Sequence, residues 1–279
     1  MSDAAAHEPP SVPAHPEPVA VVTGASSGIG AELARLFAAD GHRVVLVARR
    51  EAELTTLADE IAGRGAPRPV VIALDLAAPE AAARLRETLT AQGLAVRYLV
   101  NNAGFGLLGV ATSLDADQQL AMIDLNVRTL TALTLACADD LVRQRGGLLN
   151  VGSLAGFMPG PGMAVYYATK AFVLSFTEAI GRELGPRGVR VSVLCPGPVP
   201  TGFQARAGVG ATGFQSVMTV TAAAAARSGY DALMAGRPLA IPGRLARLVP
   251  LVVRLLPRRA MLALIAATQI RRLGDRGGL

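Results

Sequence analysis

Tyr166 and Lys170 are four residues apart in the run Tyr166-Tyr167-Ala168-Thr169-Lys170. That spacing puts both side chains on one face of a helix. An ammonium beside a phenol favours the phenolate and draws the phenol down from its ordinary value of about 10, so the pair could move a proton to or from an oxygen. Lys170 is the only lysine in the chain; every other residue of the 27 Lys and Arg is arginine. The two cations differ in pKa, size and hydration, so a lone lysine marks a place that needs an ammonium. Tyr167, three residues before Lys170, is the competing donor. Ser153 ends another apolar run, and its hydroxyl could hold a carbonyl oxygen. A serine there is also an ordinary cap or turn residue.

A second constellation binds rather than reacts. The first apolar run leads into Thr23-Gly24-Ala25-Ser26-Ser27-Gly28-Ile29-Gly30. Glycine permits the tight turn and lets backbone approach a pyrophosphate, while the following helix N-terminus offers free N–H groups. The bland alternative is a plain strand-to-helix turn. Its place after the first strand of an alternating chain favours a dinucleotide cradle. About twenty residues further on, an NAD site carries a carboxylate for the ribose 2′-hydroxyl. Here the chain reads Ala48-Arg49-Arg50. A carboxylate would repel a 2′-phosphate and a guanidinium would fork onto it, so NADP(H) is expected ahead of NAD(H). The alternative is that both arginines are surface charges at a helix start.

The elements that must position these groups alternate. Short apolar runs at 19–22, 44–48, 70–74, 98–100, 148–151 and 191–194 are separated by helix-like segments at 29–39, 52–62, 79–91, 115–143 and 165–184. Fully apolar strands between helices imply a parallel sheet covered on both faces. The expected fold is α/β, a single Rossmann-type doubly wound parallel sheet of six to seven strands. A seventh strand is expected within 237–241. Residues 1–18, rich in proline and without an apolar run, read as a disordered leader. Residues 19–243 form the catalytic domain, with an irregular lid at about 197–230. Residues 244–279 form a basic, apolar helical extension interrupted by Pro250 and Pro257.

Composition excludes several classes. Hydrophobic residues make up 51% and charged residues 17%, which rules out global disorder. Aromatics are 4% and tryptophan is absent, which argues against base-stacking platforms. Cys137 and Cys195 are far apart, so no disulfide framework or metal site is expected, and a reducing, cytoplasmic setting fits. The net charge of +6 is concentrated: from Gly243 onward there are eight arginines and one acid, Asp275, while residues 1–242 are near neutral. A general nucleic-acid surface is therefore not indicated. The basic segment could be a solvated helix face, or could meet anionic lipid at residues 244–272. Its longest apolar stretch, 260–267, is far short of the ~18–20 residues a membrane span needs. Phe203, Val209, Phe214, Val217 and Met218 in the lid suggest an apolar substrate.

These residues together resemble the short-chain dehydrogenases/reductases. The likeness runs from about Val19 to Thr201 and rests on TGASSGIG at 23–30, Asp75-Leu76, Asn101-Asn102-Ala103-Gly104, Asn126, Ser153, Tyr166 with Lys170, and Pro196-Gly197 with Thr201. The resemblance implies that Asp75 and the Leu76 backbone meet the adenine edge and that residues 101–104 close over the cofactor. It gives Asn126 a water relay to Lys170, gives Lys170 the nicotinamide ribose, and gives Val199 and Thr201 the carboxamide. In reduction Tyr166 would protonate the carbonyl oxygen that Ser153 holds. The resemblance further implies a homodimer or homotetramer built on the helices at 115–143 and 165–184. One departure stands out: the family's usual basic residue in the glycine-rich turn is replaced by Ser27. Two other functions stay open, a catalytically idle NADP(H)-binding module and a nucleotide-sugar epimerase or dehydratase.

Overall fold

A computed structural model describes residues 16–200 and 218–274. Seven parallel strands form one sheet in the order β3-β2-β1-β4-β5-β6-β7. They are β1 Glu17–Thr23, β2 Arg43–Ala48, β3 Val70–Ala73, β4 Leu94–Asn101, β5 Gly147–Val151, β6 Arg190–Leu194 and β7 Leu239–Ala240. β1 begins two residues before the strand start expected at 19, because the Glu17 N–H donates to the Gly93 carbonyl (2.8 Å). The chain order reverses between β1 and β4, the switch point at which sheets of this kind bind ligands, in a crevice at the carboxyl ends of the strands.

The strand side chains alternate between two cores. Ala20, Val22, Val44 and Leu46 face α1 (Gly28–Ala39), α2 (Glu51–Gly63) and, through Tyr230 and Leu233, α7 (Ala222–Met234). Val19, Val21, Val45 and Val47 face α3 (Ala81–Ala91), α5 (Leu130–Arg143) and α6 (Ala164–Leu184). Each central strand is thus apolar on both faces, as a covered parallel sheet requires.

Three expectations are corrected. The helix foreseen over 115–143 is α4 (Ala116–Ile123), a π-helical segment (Asp124–Thr129) and α5. By length and composition alone, Ala116–Arg143 could cross a membrane, but its Leu133, Cys137 and Leu141 are buried against the sheet. The irregular stretch expected to reach residue 230 holds instead the helix α7 from Ala222, because five consecutive alanines, strong helix formers, follow the N-cap Thr221. Residues 201–217, with Phe203, Val209, Phe214 and Val217, lie outside the described residues. In the extension Pro250 does not interrupt a helix: it sits in the first turn of α8 (Val249–Leu255), where its missing N–H costs nothing. The break falls at Leu256, extended ahead of Pro257, before α9 (Arg258–Gly274).

Candidate active site

The glycine-rich turn is shaped as a cradle. Gly24 and Gly28 adopt left-handed backbone (φ 64° and 58°), open to glycine at little cost. A Cβ on Gly30 would lie 2.4 Å from the Gly24 carbonyl oxygen, so the turn and α1 approach as only glycine allows. Ser27 is the N-cap of α1, yet its hydroxyl makes no capping bond. The N–H groups of the first turn thus lack a side-chain cap, and a helix start offers its donors and positive dipole end to an anion. Asn102 locks the turn to the end of β4: its Nδ2 donates to the carbonyls of Thr23 (2.9 Å) and Gly24 (3.2 Å). Thr23 Oγ1 accepts from the N–H groups of Asn102 (2.9 Å) and Ala103 (3.1 Å).

The two arginines after β2 differ. Arg50 reaches back over the turn, donating from Nη2 to Ser26 Oγ (3.0 Å) and Ser27 Oγ (3.1 Å) while pairing with Glu53 (3.1 Å). It therefore brings a guanidinium to Ser27, the place where the resemblance would put a basic residue. Arg49 is exposed and makes no ion pair among the described residues. Helix-start N–H groups without a side-chain cap, a close glycine turn and the Arg50 guanidinium beside it fit an anionic dinucleotide.

The residues expected to react gather at the ends of β4, β5 and β6. Ser153 follows β5, and its Oγ accepts from the Ala155 N–H (3.1 Å) at the start of a 3-10 turn. Tyr166 and Lys170 share the buried face of α6, exposed by 8% and 7%. The Tyr166 phenol is raised above its ordinary value by burial, with the hydrogen-bonded Ser153 hydroxyl pulling the other way. The expected lowering by the ammonium is not met. Lys170 Nζ donates to the Val151 carbonyl (2.8 Å) and lies 5.9 Å from the Tyr166 ring centroid. Burial instead draws Lys170 itself down to about 8. The phenol is thus held protonated, and one helical turn away sits an amine that exchanges protons near neutral pH. Tyr167 has its ring over Gly160, where a Cβ would come within 2.3 Å of it, and edge-on to Tyr166. Its ring packs into the apolar cluster with Phe105, Met122 and Met163.

The residues named through the resemblance divide. Asn126 lies in the π segment and joins three elements. Its Nδ2 donates to the Phe105 carbonyl (2.9 Å) and Thr169 Oγ1 (3.1 Å), and its Oδ1 accepts from the Phe105 N–H (3.1 Å). A Cβ on Gly104 would sit 2.8 Å from that Oδ1, so Gly104, Asn126 and Lys170 close on one spot. Asp75 is exposed beyond β3 and accepts from the Ala77 N–H (3.1 Å), while the Leu76 carbonyl accepts from Thr129 Oγ1 (2.5 Å). The Pro196 carbonyl accepts from the Leu154 N–H (3.0 Å), Gly197 abuts the Met218 backbone, and Val199 is buried. Thr201 lies outside the described residues. Asn101 does not join the crevice: its Nδ2 donates inward to Thr134 Oγ1 (3.1 Å) and Asn150 Oδ1 (2.9 Å).

Sequence reasoning missed the π segment and the bridge from Arg50 to the two serines. π-helical turns recur at functional sites, but no residue type between 124 and 129 announces one. The bridge joins residues from two turns, so spacing carries no signal of it.

Known proteins are similar to this chain in sequence and in fold. The short chain dehydrogenase family model matches residues 18–210. The chain is 38% identical to sulfoacetaldehyde reductase 2 of Chromohalobacter salexigens over 66% of this chain and 74% of that one. It is 37% identical to the NADP-dependent 3-hydroxy acid dehydrogenase YdfG of Salmonella typhi over 65% of this chain and 72% of that one. A short-chain dehydrogenase from Sphingobium yanoikuyae, solved with NADPH, superposes with a TM-score of 0.74 at 33% identity, over 83% of this chain and 90% of that one. With the family model spanning well over half its length, the chain belongs to the short-chain dehydrogenases/reductases, oxidoreductases that work between CH–OH and C=O groups with a nicotinamide cofactor.

Proposed function

We propose that the chain is an NADP(H)-dependent reductase or dehydrogenase of an apolar carbonyl or secondary alcohol, with Tyr166 as the acid/base. The bound cofactor would supply or accept the hydride. Tyr166 Oη, protonated at neutral pH, would give its proton to the carbonyl oxygen, and Ser153 Oγ would hold that oxygen as charge develops on it. Lys170 would return the proton to the phenol, with Asn126 fixing the backbone at Phe105 and the helix at Thr169 on either side of it. The observation that carries this reading is the hydrogen-bonded Ser153–Tyr166 pair, with Lys170 one turn further along the same helix.

NADP(H) rests on Arg50 beside the glycine turn and on exposed Arg49 next to it in sequence, and relatives named for NADP and NADPH support it. The cradle would be residues 23–30, Asp75, Leu76, 102–104 and 196–201. An apolar substrate suits the wall beside Tyr166, where Phe105, Met122 and Met163 are buried and Leu107, Leu108 and Met158 pack against them. We read exposed Leu120, Ile123, Leu135 and Phe172 on α4, α5 and α6 as the face of a homo-oligomer. Both cysteines are free and buried, as suits the cytoplasm, and residues 244–272 are read as a peripheral membrane contact.

The test is turnover. Purified protein should oxidise NADPH with members of a panel of hydrophobic ketones and aldehydes. Tyr166→Phe should abolish that turnover while NADPH still binds. A Tyr166→Phe variant with full activity would overturn the assignment.

A further inference from the structure

Away from the crevice, α7, the edge strand β7 and α8 enclose a cleft of about 790 Å³. Arg227, Arg237, Arg247 and Arg254 line it, against one carboxylate, Asp231. The charges do not cancel. Arg227 meets Asp231 only at 3.7 Å, both side chains being about half exposed. Arg247 donates from Nε to the Ile241 carbonyl (3.2 Å), which carries no net charge. The guanidinium groups of Arg237 and Arg254 have no ion-pair partner among the described residues. Three uncompensated positive charges therefore face one concavity. Guanidinium is the side chain best shaped to fork onto phosphate oxygens.

The cleft borders an apolar stripe. Of the twelve exposed large hydrophobic side chains among the described residues, six fall within 245–256. Leu245, Leu248, Val252 and Leu255 recur at spacings of three, four and three along a 3-10 turn (Ala246–Leu248) and the α8 that continues it, and Leu255 is 75% exposed. This segment is not a loose tail. Ala246 is buried and Val249 packs beside Ile241, Leu154 and Phe157, next to the turn that follows Ser153. Its inner face is thus fixed to the body while its outer face presents leucines beside arginines.

We propose that this cleft is a binding site for the phosphate headgroup of an anionic membrane lipid, with the stripe on α8 entering the acyl boundary beside it. The inference rests on the peripheral-membrane reading of residues 244–272 and assigns its electrostatic half to particular side chains. Apolar residues flanked by arginines are the pattern of a segment lying in a membrane interface. Each cation near an anionic surface strengthens binding about fivefold. Docked this way, the bilayer would lie beside the 154–157 turn, an entry side suited to an apolar substrate.

The experiment is vesicle flotation of the full chain, on phosphatidylcholine mixed with phosphatidylglycerol and on phosphatidylcholine alone. The unmodified chain should float with the anionic vesicles and lose at least about tenfold in partition at about 0.5 M salt. Arg247→Gln with Arg254→Gln should lose about 25-fold, and Leu248→Ser with Leu255→Ser about tenfold or more. NADPH affinity and Tm serve as folding controls and should hold. If the unmodified chain does not float with anionic vesicles, both the membrane reading and the headgroup site fall. If the arginine variant floats as well as the unmodified chain while the leucine variant does not, the membrane reading stands and the headgroup site is overturned. If the leucine variant floats normally but loses assembly mass by light scattering, the stripe joins two copies and the proposal fails.

Discussion

In the crevice one ammonium, Lys170, is enclosed by α6 and β5 and answers to a single carbonyl. From Gly243 onward eight arginines meet one acid, and those described, such as Arg254, Arg258 and Arg259, stand in solvent. The contrast is between a charge that counts individually and charges that count as a sum. Burial removes the hydration of Lys170 and shifts its proton equilibrium. Exposed arginines keep their hydration and are largely screened from one another beyond about 8 Å at physiological salt. Substitutions in the two regions should therefore differ in kind: one side chain suffices in the crevice, and several are needed in the extension.

The largest expected effect is at Tyr166, where the Phe substitution should lower kcat about 10³-fold and change NADPH affinity little. A small loss would mean that the buried crevice does not concentrate its chemistry in one proton. Next is Asp140, the buried carboxylate bound by Arg86, Arg143 and the Val96 N–H (3.2 Å). Burial alone would raise this carboxyl, but its bonds to Arg86 and Val96 hold it below the usual range. Asp140→Asn should cost about 3 kcal/mol in urea unfolding. Because its folded pKa is depressed, its contribution is present above the unfolded value of about 4 and lost as pH falls through the folded one. In Asp140→Asn the fall in stability over that acid window should be shallower.

Arg50→Ala tests the cation over the glycine turn. NADPH affinity by fluorescence titration should drop about tenfold with NADH changed less than about twofold. An equal loss for both would assign Arg50 to the turn alone. Lys170→Met should lower turnover yet raise Tm by about 3 °C. The folded pKa of Lys170 is depressed to about 8, so the cost of burying it is absent above the unfolded value of about 10.4, grows as pH falls from there and is complete below about 8. At neutral pH the buried charge therefore destabilises the fold. A lower Tm would show that the bond to Val151 outweighs desolvation. The smallest effect is expected at Arg258→Ala, below about 0.5 kcal/mol in thermal unfolding. A larger value would break the rule that the extension's cations act only together.

Much of the molecule is legible from local pattern. The valine-rich runs and intervening helical periods located six strands and five helices, because side-chain periodicity is a short-range property of the backbone. Tyr166 and Lys170 could be paired for the same reason. The glycine-rich turn was readable because Gly24 and Gly28 stand where the backbone turns left-handed. Asn101 was misplaced because a motif gives neighbours in sequence, and successive strand residues point to opposite faces. Asn102 faces the turn while Asn101 faces Thr134 and Asn150.

The sequence by itself determined the alternating fold, the spacing of the phenol and the amine, the cradle and the concentration of arginine beyond Gly243. These follow from sterics and periodicity within a few residues. Only the tertiary structure decided that Ser153 meets Tyr166, that Arg50 covers Ser26 and Ser27, and that Lys170 is desolvated. It alone decided that arginines from Arg227 to Arg254 share one cleft. Each of these depends on which distant groups displace water, and desolvation is a property of the whole packed chain rather than of any local run.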